Sequence, residues 1–173
     1  MLLISYLERN ADVVQMASYA PLFGHVDGWQ WKPDLIWVDN LRVMPTPNYF
    51  VQKLYANNKG SHVVPMLYKN KMPSTGQDSL YASSTIDKTT NELIIKIVNV
   101  ARKAQSAEVN IEGANKGKSK AKLIVLQSDN LEAENSLDST SMVAPIEKEI
   151  NTKGKTIAIE LKAYSLSVIR VKL

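Results

Sequence analysis

Seventeen acidic side chains and two histidines are the groups that could move protons in this 173-residue sequence, and their spacing limits that chemistry. General acid–base work by carboxyls needs two groups that project into one shared cleft with their environments held apart. Glu132 with Glu134, and Asp34 with Asp39, are pairs to weigh. Glu132 and Glu134 fall in a polar connection and read as solvated. Asp34 and Asp39 bracket a short apolar run and read as turn or cap residues. Ser18, Ser165 and the other serines have no histidine at a useful spacing, and no Gly-x-Ser-x-Gly elbow is present. A Gly-rich phosphate loop is likewise missing. With no cysteine, thiolate chemistry, disulfides and Cys-based zinc sites are excluded. His25 and His62 alone do not predict a multi-histidine metal site. These residues therefore predict no catalytic constellation, no metal and no cofactor.

Charge narrows the partners. The formal net charge is +4. Residues 1–60 hold five basic and five acidic side chains, so the excess lies in residues 61–173, with sixteen and twelve. Part of it is local, in Lys116, Lys118, Lys120 and Lys122, interleaved with Gly117 and Ser119. A nucleic-acid surface would interleave aromatics for base stacking, and none stands there. The reading is a solvated hairpin loop and no nucleic-acid partner. No apolar run reaches the length of about 18 residues that a spanning helix needs. Met1 to Arg9 lacks a basic n-region and soon becomes charged, so no signal peptide is expected here.

The elements that would position these side chains fall into two unlike halves. All three Trp and both Phe precede Gly60, and beyond it Val, Ile and Leu supply most of the apolar side chains. In the first half, Leu3, Ile4 and Leu7 have helical spacing that ends near Asn10. Asn10 is placed to cap a second helix, with Asp12 near its positive end and Val13, Met16, Ala17 and Ala20 as a buried stripe. Pro21 would end it. An irregular stretch from Phe23 to Pro33 leads into Leu35-Ile36-Trp37-Val38, which suits a buried parallel strand. Thr46-Pro47 then starts a helix whose face is Phe50, Val51 and Leu54, and Asn57-Asn58-Lys59-Gly60 stops it. This is a piece of an α/β architecture in which one parallel strand has no neighbour to pair with.

Residues 61–173 read as β throughout. Leu93 to Val100 is apolar on nearly both faces, Val109 and Ile111 alternate with polar neighbours, and Leu123 to Leu126 is a second buried run. Ile157, Ile159 and Leu161 alternate, and Leu166 to Leu173 forms the closing strand. Short strands separated by turns predict an antiparallel, jelly-roll-like β-sandwich. The polar Ser128–Asn151 link, with Pro145, is expected to cross from one sheet to the other.

An ordered set of segments resembles glycoside hydrolase family 51, the α-L-arabinofuranosidases, in its plant and Bacteroides-like branch. It runs through Glu8-Arg9-Asn10-Ala11-Asp12-Val13-Val14, Met16-Ala17-Ser18-Tyr19-Ala20-Pro21-Leu22-Phe23, Trp31-Lys32-Pro33-Asp34-Leu35-Ile36-Trp37-Val38-Asp39-Asn40 and Thr46-Pro47-Asn48-Tyr49-Phe50-Val51-Gln52. It continues in Lys96-Ile97-Val98-Asn99-Val100, Asn135-Ser136-Leu137-Asp138 and Tyr164-Ser165-Leu166-Ser167-Val168-Ile169-Arg170. The resemblance implies that residues 1–60 are the terminal α/β remnant of a catalytic (β/α)₈ barrel. Leu35–Val38 would be its last strand and Pro47–Tyr55 its last helix, with residues 61–173 forming a C-terminal β-sandwich.

Enzymes of this family release terminal α-L-arabinofuranosyl groups with retention, using two glutamates about 5 Å apart. Both glutamates would lie upstream of Met1 and neither maps onto a residue here, so this chain alone is expected to be inactive. The loop from Tyr19 to Trp31 would follow barrel elements whose ends face the active site. His25, Asp27, Trp29 and Trp31 thereby become candidates to line the parent's substrate cleft. The plainer alternative is tryptophans packing the barrel rim and a histidine hydrogen-bonded within a loop. Pro21 stands near where the bacterial branch has a sugar-contacting glutamine, and that contact does not transfer. The implied partner of the parent is an arabinose-containing polysaccharide or oligosaccharide, and the implied location is extracellular or periplasmic. A surface around Leu35, Ile36 and Trp37, built to meet other strands, would be exposed or hidden by self-association. The rival reading is a carbohydrate-binding sandwich without catalysis, which would display exposed aromatics on one sheet. Tyr68, Tyr81 and Tyr164 are too scattered to favour it.

Overall fold

Leu93, Ile95 and Ile97 point to one side of their strand and Ile94, Lys96 and Val98 to the other, and all six are buried. A strand with that pattern must be covered on both faces. The computed structural model describes residues 2–71, 78–113 and 119–173. In it this strand, β6 (Glu92–Asn99), lies within a six-stranded sheet. The order is β4 (His62–Val63), β5 (Leu80–Asp87), β6, β11 (Ser165–Lys172), β8 (Ser119–Leu126), β9 (Ile146–Thr152), and every neighbouring pair is antiparallel. β6 and β11 pair along their full lengths, from Ser165 opposite Asn99 to Lys172 opposite Glu92.

On one face sits a two-stranded antiparallel sheet of β7 (Gln105–Asn110) and β10 (Thr156–Leu161). Ile157, Ile159 and Leu161 of β10 interleave with Leu80, Ala82, Leu93, Ile95, Ile97, Leu123 and Ile169 of the large sheet. This is the predicted sandwich, and each fully buried Ile or Leu contributes roughly 1.5–3 kcal/mol to it. Asn99, fully buried, ties the layers at one end. Its amide donates to the carbonyls of Lys103, Leu161 and Lys162 at 2.9–3.1 Å, and its oxygen accepts from Ala101 N–H at 2.9 Å.

The opposite face is covered by helices. α2 (Pro47–Asn57) begins where Thr46 Oγ1 accepts the Tyr49 N–H at 3.2 Å, with proline at the first helical position. Its Val51, Leu54 and Tyr55 pack on Ile94, Val98, Ile124, Leu126, Leu166 and Val168, and Ile4 of α1 (Leu2–Arg9) joins them. After α2 the chain passes so close to β5 that a β-carbon on Gly60 would fall 2.5 Å from Thr85 Cβ.

Four expectations change. Residues 14–19 form no helix, and Val13 and Met16 are 76% and 88% exposed. The Asn10 side-chain amide instead turns back to the Tyr6 carbonyl at 2.8 Å, closing α1 rather than opening a second helix. The strand at Leu35–Val38 does not lack neighbours. β2 (Ile36–Val38) pairs in parallel with β1 (Phe23–His25) and antiparallel with β3 (Val43–Pro45). Leu35 and Trp37 are correspondingly buried within the chain, at 5% and 7% exposure, so they are not the open surface their pattern suggested. Finally, the long link after β8 does not change sheets, because β9 returns to pair with β8 itself. The link folds over the helix-covered face, where Asn135 donates to the Pro45 carbonyl at 2.9 Å and Asp138 pairs with Arg42 at 2.6 Å. The change of sheet comes at the short turn between β9 and β10.

Candidate functional site

Of the four residues singled out for substrate contact, His25 ends β1, and Asp27, Trp29 and Trp31 lie on the connection from β1 to β2. The β1–β2 pairing sets His25 opposite Val38, and the Val26 N–H continues the ladder to the Val38 carbonyl at 3.0 Å. The chain then turns, with Gly28 N–H donating to the His25 carbonyl at 3.2 Å. Within this turn the Asp27 N–H donates to His25 Nδ1 at 3.2 Å, so a neutral His25 ring carries its proton on Nε2. His25 and Asp27 are thus brought together. His25 is half-buried and Asp27 exposed.

Trp29 folds back onto the small sheet. Its ring meets Trp37 edge-on at 6.3 Å and 86°. Lys32 Nζ lies 5.5 Å from the Trp29 ring centre and 5.8 Å from that of Trp37, and cation–π attraction at such distances stiffens the loop. Trp31 remains 69% exposed. The loop therefore presents one aromatic side chain held by its neighbours and one in solvent, beside an imidazole N–H and a carboxylate. That set can bind a polyhydroxylated ligand through ring faces and hydrogen bonds.

It does not make an acid–base pair. Asp34 is 3% exposed and turned inward over Gly24, where a β-carbon would fall 2.2 Å from Asp34 Oδ2 and 2.9 Å from the Trp37 ring. Gly24 allows that approach, so Asp34 is a packed residue rather than the cap expected of it. Asp39 does serve a turn, accepting the Leu41 and Arg42 N–H groups at 2.8 and 2.6 Å. Those bonds, led by that from Leu41 and joined by the Arg42 guanidinium, hold its carboxyl below the usual range. Glu132 and Glu134 are exposed, as expected. Among the described residues, no three His, Asp or Glu side chains gather as metal ligands would.

Other surfaces add little chemistry. Lys120 and Lys122 of the lysine cluster pair diagonally across the sheet edge with Glu149 and Glu147, each at 2.6 Å. Lys116 and Lys118 lie outside the described residues. A groove of about 420 Å³ runs between α2 and the β8–β9 edge, lined by Phe50, Lys53, Asn57, Lys122, Glu147 and Arg170 among others. A shallower depression of about 380 Å³ lies over β7 and β10. Neither contains His25, Asp27, Trp29 or Trp31. Tyr68, Tyr81 and Tyr164 are all half-buried, so they do not build the exposed aromatic row of a sugar-binding sheet.

Two features escaped the sequence reading. Lys32 joins the aromatic group, a contact that single-residue spacing does not reveal. A buried charge also stands at Lys96, and its signal was visible, as a lysine inside an otherwise apolar run.

Comparison with known proteins places these features in a wider setting. The family model described as the α-L-arabinofuranosidase C-terminal domain matches residues 1–165, across both halves. α-L-Arabinofuranosidase 1 of Arabidopsis thaliana is 31% identical over 166 residues, covering 93% of this chain and 24% of that protein. α-L-Arabinofuranosidase A of Aspergillus kawachii is 32% identical over 166 residues, again 24% of its length. The extracellular exo-α-L-arabinofuranosidase of Streptomyces chartreusis is 58% identical over 59 residues. Among solved structures, the arabinose-bound family 51 enzyme MgGH51 superposes with a TM-score of 0.84 at 35% identity, covering 98% of this chain and 26% of that one. The chain thus spans about a quarter of the length of the relatives that it matches over most of its own.

Proposed function

Because this chain belongs to the family of α-L-arabinofuranosidase C-terminal domains, we propose that it is the non-catalytic C-terminal part of a larger α-L-arabinofuranosidase. The observation that carries this is a match along nearly the whole chain to proteins four times as long, combined with a loop that offers binding groups but no acid–base pair. The parent removes terminal α-L-arabinofuranosyl groups from arabinan or arabinoxylan side chains with retention, through two glutamates upstream. Residues 1–60 complete its barrel and residues 61–173 brace it. The loop carrying His25, Asp27, Trp29 and Trp31 borders the parent's substrate cleft. Val13, Met16, Phe23 and Leu41, all exposed here, are covered in the parent by the rest of the barrel, and in the isolated chain they favour self-association. An extracellular site of action fits the description of the Streptomyces relative.

Calorimetric titration of arabino-oligosaccharide into the 173-residue chain tests this reading against a self-sufficient binding module. No saturable heat is expected, since a lone rim loop supplies few contacts. Saturable binding that survives Trp31→Ala and Trp29→Ala would place recognition in the sandwich and reverse the assignment.

A further inference from the structure

Lys96 stands within the β6 run Leu93-Ile94-Ile95-Lys96-Ile97-Val98 with no exposed surface. Its ammonium meets the carboxylate of Glu8 in α1, 88 positions away along the chain. The same nitrogen lies 5.3 Å from the centre of the Tyr55 ring in α2. Glu8 also accepts a hydrogen bond from Ser83 Oγ of β5 at 2.5 Å. Ser5, one turn earlier in α1, is hydrogen-bonded to the Tyr55 hydroxyl, and Arg9 donates to the Ala82 carbonyl at 3.2 Å. Two helices and two strands therefore converge on one buried charge.

Taking two charges out of water costs about what their attraction returns, so a pair of this kind adds little net stability. Compensation here is incomplete. An ammonium offers three donors, and among the described residues its partners are one carboxylate and one ring. Burial pulls the Lys96 ammonium below its ordinary value, and Glu8 offsets part of that fall. Burial also raises the Tyr55 phenol, which stays neutral as a partner for Ser5. Apolar side chains at positions 8 and 96 would fill the same seam without desolvating charge. Apolar contact is non-directional, however, and would not choose one rotation or one register of α1.

We propose that Glu8 and Lys96 form a latch that fixes the seat of α1 on the sandwich, setting its position rather than adding net stability. In the larger enzyme, and resting on the reading given above, the latch sets the angle at which the sandwich carries the barrel segment leading into α1.

Residue-resolved amide exchange on the 173-residue chain tests the latch. Lys96→Met leaves Glu8 without its cation, and α1 amides should lose protection on the order of a hundredfold while β6, β8 and β11 keep theirs. With Glu8→Leu added to Lys96→Met, the thermal midpoint should equal or exceed that of the original chain. The α1 amide resonances of this double variant should nevertheless broaden or split as the helix samples more than one seat. Unchanged α1 protection in Lys96→Met overturns the proposal, as does a double variant with one sharp α1 set at the original shifts. If Lys96→Met does not fold, the double variant decides. Neither readout depends on what the longer protein hydrolyses, so the latch and the functional reading fail separately.

Discussion

Glu92 shows how a single side chain sets a pH limit on the sandwich. Its carboxylate receives Arg170 Nε at 3.0 Å and a second bond from Arg170 Nη2, and Arg170 Nη1 reaches Asn58 Oδ1 at 3.1 Å. Burial by itself pushes the Glu92 carboxyl upward. The bonds from Arg170 and the nearby Arg170 and Lys172 charges prevail, holding it below its ordinary 4.5. A carboxyl lowered on folding stabilises fully above its unfolded value and loses that contribution as pH falls through its folded value. Urea midpoints should therefore be flat above about pH 5 and fall below about pH 4.5. Arg170→Met, which removes the donor to both partners, should lower stability near neutrality by about 2–3 kcal/mol and weaken this acid dependence. An unaltered acid limb in Arg170→Met would assign the limb to the exposed aspartates instead. At this scale the sequence disclosed roles that depend on near neighbours. Asp39 could be read as a turn residue because its acceptors' donors lie two and three positions away. Lys96 and Glu8 could not be paired, because nothing local links positions separated by a whole domain's worth of chain.

At the scale of elements, patterning succeeded where a strand or helix buries its own stripe. α2 was legible from Thr46-Pro47 to Asn58, and β6, β10 and β11 from their alternating or continuous apolar runs. The stripe at Val13, Met16, Ala17 and Ala20 failed because amphipathic spacing states a need for a partner surface, and the described residues supply none there. β1 and β3 were missed for another reason. Phe-Gly-His and Val-Met-Pro are three residues long, and contain a glycine and a proline that propensity counts against strands. Such strands exist because β2 offers them a ladder. The junction between α2 and the sheet makes a sharper demand on sequence. Gly60 passes within contact of Thr85 Cβ and the Ile86 carbonyl, which an added methyl would meet at 2.5 and 2.8 Å. Gly60→Ala must shift either the helix end or β5 and should cost about 1–3 kcal/mol by chemical denaturation. Thr46→Ala, which removes the cap and the hydroxyl's 2.8 Å bond to the Leu35 carbonyl, should cost about 1–2 kcal/mol. A smaller loss for Gly60→Ala than for Thr46→Ala would mean that this junction yields easily.

The whole molecule is a sheet covered twice, by a two-stranded layer on one side and by the first half's helices on the other. That arrangement explains why residues 1–60 and 61–173 read so differently yet share a core in which Leu54 and Tyr55 meet Val98 and Val168. The sandwich was visible in the sequence. The attachment of the first half was not, since it rests on long-range contacts such as Arg42 with Asp138 and Asn135 with Pro45. On the proposed reading the chemistry belongs to the longer protein, since the loop carrying His25, Asp27, Trp29 and Trp31 brings together no pair of carboxylates. Release of nitrophenol from an aryl α-L-arabinofuranoside, measured for the 173-residue chain beside a protein extended upstream to the length of its relatives, is the most direct test. Turnover by the longer protein alone is the predicted result. Turnover by the 173-residue chain at the same enzyme concentration would contradict the account, because it would require a catalytic pair within residues 1–173.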